Sequence, residues 1–132
     1  MPQAVDLVIN NGAGTPVAKT FTLYNPAAGD NSIALWKLKE GSISTVFPTI
    51  TSLARATGNN SRNMQIKLRI PSSYTDSVTG LTAVGSAFEF NGSISVPNDF
   101  PEALKADAVA FTSNLISHTL IKSAMRDATA LT

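Results

Sequence analysis

The segment Asn-Met-Gln-Ile-Lys-Leu-Arg-Ile at residues 63–70 alternates strictly between polar and apolar side chains. Its odd-numbered residues carry amides or basic groups, and its even-numbered residues are apolar. Successive side chains of a β-strand point to opposite faces of its sheet. The segment therefore predicts a strand with one face in a hydrophobic core and a polar, basic face on the other side.

Turn signals on both sides of this strand divide the chain into further short strands. The predicted strands cover residues 4–10, 17–24, 32–40, 49–55 and 86–96. Asn11-Gly12 favours a tight hairpin between the first two, because Asn-Gly adopts the positive φ angles of such a turn. Gly58-Asn59-Asn60 predicts a turn before the central strand, and residues 71–82 predict a mobile, turn-rich loop after it. Pro97 ends the last strand because it has no N–H to donate.

The apolar spacing changes to a helical period after Pro97. Asp99 is predicted as the N-cap of the first helix, with Glu102 three residues later as its acidic partner. The apolar stripe that follows consists of Leu104, Ala108, Phe111, Leu115, Leu120, Ile121, Ala124 and Met125. Because the polar triplet Ser117-His118-Thr119 interrupts this stripe, we predict two helices within residues 99–128.

Strands followed by helices, without β-α-β alternation, are typical of the α+β class with an antiparallel sheet. The chain has 132 residues and is expected to form a single domain. Its predicted parts are a hairpin at residues 4–24, a sheet at 32–96 and helices at 99–128. Two short helices cover only part of such a sheet, and an uncovered edge strand invites pairing. The simplest arrangement is a dimer that continues the sheet and shares its helices.

Composition excludes several classes of protein. The chain has no cysteine, which excludes disulfide scaffolds, thiolate metal sites and cysteine nucleophiles. Its single histidine, His118, excludes a relay of two histidines. The apolar runs are far shorter than the ~20 residues that span a bilayer, and the first residues lack the pattern of a signal peptide. We therefore expect a protein that is made and kept inside a cell, without a membrane partner.

No group of residues predicts an enzyme, a cofactor or a metal site. Ser113 and Ser117 lie near His118 in the sequence but belong to no nucleophile motif. Gly12-Ala13-Gly14 precedes a predicted strand instead of the helix that a phosphate-binding loop needs. Asp99 and Glu102 are explained by helix capping.

A basic stripe is the clearest electrostatic feature of a chain whose net charge is only +1. Its members are Arg55, Arg62, Lys67 and Arg69, and no carboxylate occurs between Gly41 and Thr75. A stripe of one sign is typical of nucleic-acid binding, and the amides of Asn63, Gln65 and Asn91 suit base edges. The alternatives are an ordinary solvated face for the basic residues and polar filler for the amides.

The larger aromatic side chains also allow two interpretations each. Tyr24 and Tyr74 are interpreted as loop anchors, with base stacking as the alternative. Trp36 is interpreted as an anchor of the core or of a dimer rather than as a surface for RNA.

Three segments of the sequence resemble the coat proteins of single-stranded RNA bacteriophages, the leviviruses. The first combines residues 51–55 (TSLAR) with residues 61–71 (SRNMQIKLRIP). The other two are residues 89–97 (EFNGSISVP) and 116–121 (ISHTLI). The element order of nearly the whole chain is also similar to that family: an N-terminal hairpin, a five-stranded antiparallel sheet and two C-terminal helices.

The resemblance implies an interlocked dimer with one continuous sheet, and an icosahedral shell of such dimers around single-stranded genomic RNA. The polar sheet face is expected to bind an RNA stem-loop that acts as packaging signal and translational repressor. The implied partners are a second copy of the chain, the RNA and a maturation protein. The implied location is the virion, assembled in the bacterial cytoplasm, and no cofactor or enzymatic activity is implied.

The resemblance also assigns three sets of site residues. The RNA-binding set is Thr51, Arg55, Ser61, Asn63, Gln65, Lys67, Arg69, Glu89, Asn91 and Ser93. The set for dimer and helix packing is Leu104, Phe111, Leu115, Leu120, Ile121 and Met125. The inter-dimer loop is Thr75, Asp76, Ser77, Val78, Thr79 and Gly80.

Three positions on the sheet face depart from the family pattern. Leu53 stands where the family often has a small hydroxyl residue, and Gln65 where it has a smaller or basic one. Glu89 stands where an aromatic residue that stacks on a base is expected. The resemblance therefore implies RNA binding by the sheet face rather than recognition of a known stem-loop.

Two other functions fit parts of the sequence. The first is a non-viral, dimeric β-sheet module that binds RNA and forms no shell. The second is a bacterial surface or pilin-like subunit, which the lack of a signal-peptide pattern disfavours.

Overall fold

The computed structural model describes residues 2–41, 43–58 and 60–132, which form two compact units divided between Val96 and Pro97. The first unit contains six strands: β1 (Leu7–Asn10), β2 (Ala18–Asn25), β3 (Ile33–Lys37), β4 (Thr49–Thr57), β5 (Ser61–Thr75) and β6 (Thr82–Pro97). A short 3₁₀ turn at Ser44–Val46 precedes β4. The second unit contains the helices α1 (Glu102–Ser117) and α2 (Thr119–Asp127). The α+β class is confirmed, and the single-domain organisation stays a prediction.

The strands follow one another in sequence order across a single sheet, β1-β2-β3-β4-β5-β6, and the four pairs from β1 to β5 are antiparallel. The resemblance to the family implies an N-terminal hairpin followed by a five-stranded sheet. In the structure β2 pairs with both β1 and β3, so the hairpin is part of the sheet and the strand count is six. β1 and β6 are therefore the two edges of the sheet.

The connection between β1 and β2 differs from the predicted tight turn. The Asn11 N–H donates to the Val17 carbonyl at 2.9 Å, and Asn11 Oδ1 accepts from the N–H groups of Ala13 and Val17. Gly12 does not adopt a positive φ angle. The prediction of a tight Asn-Gly turn is wrong, because the Asn11 side chain closes a longer loop. In the other predicted turn, Asn60 has φ 54° and Asn59 lies outside the described residues.

β5 and β6 are longer than predicted and shorten the loop between them to residues 76–81. We predicted that Pro71 begins the loop, but β5 continues through it to Thr75. β4 begins at Thr49, opposite Arg69, so Pro71 lies beyond the last β4 partner and its missing N–H removes no bond from that ladder. Beyond Pro71, the Ser72 hydroxyl donates to the Ser86 carbonyl at 2.5 Å. The loop prediction is therefore wrong for residues 71–75 and for Thr82.

The hydrophobic core lies on one face of the sheet. Its buried members are Phe21, Ala34, Trp36 and Ile50, and Ala4, Leu7, Leu23, Leu38, Ile66 and Leu68 pack against them. Trp36 pairs with Ile50 on β4, which pairs with Leu68 on β5, so the core crosses three strands. The Trp36 indole N–H donates to the Val5 carbonyl at 2.8 Å, which gives this buried donor its acceptor. The prediction that Trp36 is a core anchor is confirmed.

The two helices have the predicted boundary but not the predicted N-cap. α1 begins after Pro101, whose φ and ψ of −60° and 130° are those of an extended residue. Asp99 as the N-cap is wrong, because a residue that precedes proline, here Phe100, disfavours the helical conformation. His118 separates the helices as predicted, and its Nδ1 accepts from the Leu120 N–H at 3.1 Å.

Candidate nucleic-acid interface on the polar face of the sheet

The pairing of β4 with β5 places most of the predicted RNA-binding residues on one face. Lys67 lies opposite Thr51, and Asn63 lies opposite Arg55. Residues directly opposite each other in an antiparallel pair share a face. That face is the one opposite the core, because the core residues Ile50 and Leu68 form the intervening pair. The alternation at residues 63–70 therefore correctly predicted the polar face.

β6 completes this face beside β5. A shallow pocket of about 260 Å³ is lined by Thr49, Thr51, Lys67, Leu68, Arg69, Glu89, Phe90 and Asn91. A second of about 220 Å³ is lined by Gln65, Lys67, Asn91, Gly92 and Ser93. Lys67 and Asn91 line both pockets, so an ammonium group and an amide lie at the centre of the surface. We call the residues of these two pockets the β4–β6 surface.

Three predicted RNA-binding residues lie outside the two pockets, towards the turn between β4 and β5. Arg55 and Asn63 form one cross-strand pair, and Asn63 Oδ1 is buried and accepts no hydrogen bond from any described residue. Ser61 lies at the start of β5, with its hydroxyl 2.6 Å from the hydroxyl of Thr57. These residues share a face with Lys67 but form a separate group.

The charges on the sheet are more nearly balanced than the sequence indicated. Arg62 Nη2 lies 2.6 Å from Asp30 Oδ1, and Arg69 Nε lies 3.5 Å from Glu89 Oε1. The expectation of a basic stripe without compensating acids is wrong, because strand pairing brings carboxylates from distant parts of the sequence beside it. Arg62 also pairs with Ala56 and belongs to the apolar side of β5. Within the described residues, Arg55 and Lys67 are the members of the stripe that make no ion pair.

The Arg62–Asp30 pair has well-aligned geometry. The second guanidinium nitrogen, Nη1, donates to Asp30 Oδ2 at 3.1 Å, so the contact is bidentate. These hydrogen bonds hold the pKa of the Asp30 carboxyl below its ordinary value and raise the pKa of Arg62. Asp30 lies before β3 and Arg62 near the start of β5, so the pair connects two distant parts of the sheet unit.

Several residues that line the pockets were not predicted from the sequence. Thr49 has the same parity as Thr51 in the segment TITSLARAT, and that alternation was a usable signal. Leu68 and Phe90 have the opposite parity, so alternation alone could not place them in a pocket of the polar face. Gly92 was read only as part of a strand motif. A Cβ atom there would come within 3.1 Å of the Phe90 ring, which explains the small residue.

The predicted inter-dimer loop is a closed turn at the tip of β5 and β6. The Asp76 N–H donates to the Leu81 carbonyl, and the Gly80 N–H donates to the Asp76 carbonyl, both at 2.8 Å. Asp76 Oδ1 also accepts from the Val78 N–H at 2.8 Å, and Gly80 has φ 70°. The Val78 side chain is 92% exposed at the tip. Hydrogen bonds within the loop fix its backbone, and the apolar side chain of Val78 is exposed on the outside.

The predicted helix-packing residues are not buried within the chain. Leu104, Phe111, Leu115, Leu120 and Met125 are exposed, and Ile121 is half-buried.

Across the described residues, no helix is both long and apolar enough to cross a membrane. The same residues contain no cluster of three or more histidines or carboxylates that could hold a metal ion.

Comparison with protein families gives a match over almost the entire chain. The family model described as "Levivirus coat protein" matches residues 2–131. The chain belongs to the levivirus coat protein family. No curated protein sequence matches it. The resemblance found in the sequence is therefore confirmed, and this coat protein has a structural role, which supports the prediction that it is not an enzyme.

Solved structures share the fold of this coat protein at low sequence identity. A virus-like particle of bacteriophage NT-214 matches with a TM-score of 0.86 and 21% identity, over 99% of this chain and 100% of the other. A virus-like particle of Beihai levi-like virus 21 gives 0.83 and 18%, over 99% of both chains. The capsid protein of bacteriophage GA gives 0.72 and 16%, over 96% of both. The RNA bacteriophage coat protein fold is thus confirmed.

Proposed function

We propose that this coat protein assembles as dimers into an icosahedral shell around a single-stranded RNA genome. The β4–β6 surface faces the RNA and binds a stem-loop that serves as packaging signal and translational repressor. The observation that carries the proposal is the placement of Lys67 and Asn91 in both pockets of that surface. The protein's location is then the virion, formed in the host cytoplasm, where a maturation protein is a further partner.

The side chains of the β4–β6 surface match the chemistry of RNA. The Lys67 ammonium is exposed and makes no ion pair with a described residue, so it is available to a phosphate. The amides of Gln65 and Asn91 offer donors and acceptors to base edges, and the hydroxyls of Thr51 and Ser93 suit phosphate or sugar oxygens. Unpaired bases, in a single strand or in the loop of a hairpin, expose their edges to such groups. The surface therefore supplies both charge and base-edge partners.

Exposed apolar side chains on α1, α2 and β6 support dimerisation. Phe111 on α1 is 74% exposed and Leu120 on α2 is 56% exposed. β6 is a long edge strand, and its apolar residues Phe88 and Ile94 are also exposed. Long edge strands and large apolar patches are rarely left open on a monomer. A second copy that pairs with β6 and covers the helices accounts for both features.

The loop at residues 76–81 supports contacts between dimers. Its hydrogen bonds fix the backbone, and Val78 is presented outside it. Replacing residues 77–80 by Asn-Gly shortens the loop and leaves β5 and β6 intact. We expect a folded dimer by analytical ultracentrifugation, with the shell absent or of altered size by electron microscopy. Normal particles from this variant would contradict the role of the loop.

The shell is tested by expressing the full chain in bacteria without other phage genes. We expect a megadalton particle on size-exclusion chromatography, with high absorbance at 260 nm and RNA that survives nuclease treatment. Small oligomers that bind RNA would indicate the alternative function, a β-sheet RNA-binding module without a shell. Small oligomers without RNA would contradict both functions.

The stem-loop is tested on RNA that is co-expressed with the chain. The packaged RNA is cross-linked by ultraviolet light, digested, and sequenced around the sites of cross-linking. Enrichment of one hairpin over the host RNA background is expected, and placing that hairpin before a reporter gene should lower reporter translation. A cross-linking profile that follows RNA abundance alone would contradict a packaging signal.

A further inference from the structure

An aromatic ring with two ammonium groups lies at β2 and β3, outside the β4–β6 surface. Lys37 Nζ lies 5.1 Å from the centroid of the Tyr24 ring, and Lys39 Nζ lies 5.4 Å from it. Both distances are within the range of cation–π attraction. Tyr24 is 46% exposed, and Lys39 is exposed beyond the end of β3. We call these three residues the Tyr24 cluster.

The Tyr24 cluster lies on the same face of the sheet as Lys67. Lys37 pairs with Thr49 on β4, and Thr49 pairs with Arg69 on β5. Cross-strand partners share a face, so Lys37, Thr49 and Arg69 form one row across three strands. Adjacent strands are about 4.8 Å apart, so Lys37 is about 10 Å from the row position of Arg69. Thr49 also lines a pocket of the β4–β6 surface, so no gap separates the two regions.

The charges of the Tyr24 cluster are not balanced by nearby acids. Neither Lys37 nor Lys39 makes an ion pair in the described part of the chain. The neighbouring carboxylate of Glu40 is occupied, because Lys19 Nζ lies 2.6 Å from its Oε1. The ring thus holds two like charges close together, and an anion that binds them both relieves their repulsion.

We propose that the Tyr24 cluster is a second contact for single-stranded RNA, continuous with the β4–β6 surface. The phosphates of the strand bind Lys37 and Lys39, and the Tyr24 ring positions the two ammonium groups. This inference rests on the proposed function, because it extends the RNA path from β4–β6 across β3 to β2. The two ammonium groups are carried by flexible side chains and lie beside an open row of residues rather than in a pocket. A flexible polyanion therefore fits them better than a rigid ligand does.

The experiment measures the binding of a fluorescein-labelled 20-nucleotide oligouridylate to the full chain, purified free of packaged RNA. Fluorescence anisotropy is recorded across a salt series for the wild type and for the variant K37A/K39A. At about 0.1 M salt we expect roughly tenfold weaker binding, and a salt slope lower by about one to two units. The matched control is K105A/K122A, which removes the same charge from the helical unit and should change affinity less than about twofold.

Two substitutions of the ring test its positioning role. Tyr24→Phe keeps the ring and should bind like the wild type, whereas Tyr24→Leu should bind about threefold or more weakly. Thermal denaturation by circular dichroism checks that each variant remains folded. Equal affinities for Tyr24→Leu and Tyr24→Phe would contradict the role of the ring.

The failure of this inference is distinguishable from the failure of the proposed function. If Lys67→Ala weakens RNA binding and K37A/K39A binds like its control, the Tyr24 cluster is not an RNA contact. If the wild type does not bind the RNA at all, the proposed function fails as well. Labelled polyglutamate is the second probe. If K37A/K39A weakens only polyglutamate binding, the cluster recognises an acidic peptide and the inference is overturned.

Discussion

The sheet unit and the helical unit of this coat protein both carry regular apolar stripes, but only the sheet buries its own. Phe21, Trp36 and Ile50 are each less than 10% exposed in the sheet unit. Neither α1 nor α2 contains a buried residue, and Phe111 is 74% exposed. Both stripes have the period that their secondary structure requires. Periodicity therefore identifies the face that is to be covered, and it does not say which chain covers it.

The contrast indicates that the two units depend on different contacts for their stability. Fully burying a side chain such as phenylalanine or leucine contributes about 1.5–3 kcal/mol. The sheet unit gains this contribution within one chain through residues such as Trp36. The helices gain it only when another surface covers Leu115 and Leu120. In our proposal that surface belongs to a second copy.

The largest expected effect is that of Phe111→Asp, which introduces a carboxylate into the exposed stripe of α1. Burying an unpaired carboxylate costs several kcal/mol, so we expect loss of the dimer and of the shell, with unfolded or insoluble protein. Analytical ultracentrifugation and solubility are the measurements. Ser113→Asp is the matched control, because Ser113 lies on the opposite side of the same helix and should assemble normally. Soluble, stable dimers of Phe111→Asp would show that a partner does not cover this stripe.

Trp36→Ala tests the other half of the comparison. Trp36 is 8% exposed and its indole donates to the Val5 carbonyl, so we expect a loss of about 3–5 kcal/mol of unfolding free energy. Chemical denaturation measures this loss, under conditions in which the shell is dissociated into intact dimers. Because the contacts of Trp36 lie within one chain, the loss should be similar at low and high protein concentration. A loss that disappears on dilution would place Trp36 at an interface instead.

The sequence predicted the sheet well where alternation and turn residues agreed. The alternation at residues 63–70 correctly placed Ile66 and Leu68 against the core and Lys67 on the polar face. Alternation failed at both ends of this segment, where Met64 and Ile70 are 39% and 41% exposed within one chain. Pro71 was predicted to begin the loop, because a sequence does not show that β4 has no residue opposite Pro71 and that the missing N–H therefore breaks no bond of that ladder. Turn chemistry also misled at Asn11, whose side chain closes a longer loop than Asn-Gly alone.

The sequence correctly predicted which polar residues lie together in the candidate site, but it did not predict how their charges are balanced. Lys67, Gln65 and Asn91 lie together as expected, since each has the parity of the polar face. The balance of charge could not be predicted, because it depends on which distant segments the strand order brings together. Glu89 is distant from Arg69 in the sequence, yet the pairing of β6 with β5 brings its carboxylate to 3.5 Å from the Arg69 guanidinium.

Lys67→Ala tests the polar face of the sheet, which we propose contributes binding rather than stability. Removal of a phosphate contact should lower RNA affinity by about 1–3 kcal/mol and lower the salt slope by about one unit. The unfolding free energy should change by less than about 0.5 kcal/mol, because the side chain is exposed. Filter binding across a salt series and chemical denaturation measure the two effects.

Arg69→Ala is the comparison for Lys67→Ala on the same strand. Glu89 already compensates part of the charge of Arg69, so we expect a smaller loss of affinity than for Lys67→Ala. Unchanged affinity and salt slope for Lys67→Ala would mean that the basic residues of β5 form an ordinary solvated face.

The smallest expected effect is that of Asp30→Asn, which breaks the ion pair with Arg62 in the sheet unit. Both side chains are partly exposed, at 37% and 50%, and exposed pairs contribute little even with bidentate geometry. We therefore expect Tm to fall by at most a few degrees at pH 7, measured by circular dichroism. Arg62→Met should cause a similar fall, and the double variant should fall by less than the two single changes together.

The pH dependence of this difference follows from the direction of the Asp30 shift. Hydrogen bonds from Arg62 lower the pKa of Asp30 in the folded chain below its ordinary value of 3.8. A lowered pKa stabilises the folded state at pH values above the ordinary pKa of the carboxyl. This contribution is lost as the pH falls through the lowered pKa. The Tm difference between the wild type and Asp30→Asn should therefore be constant near neutral pH and shrink below about pH 4. A Tm difference that persists undiminished in strong acid would show that Asp30 acts through its shape or its neutral hydrogen bonds, and not through the attraction between its negative charge and Arg62.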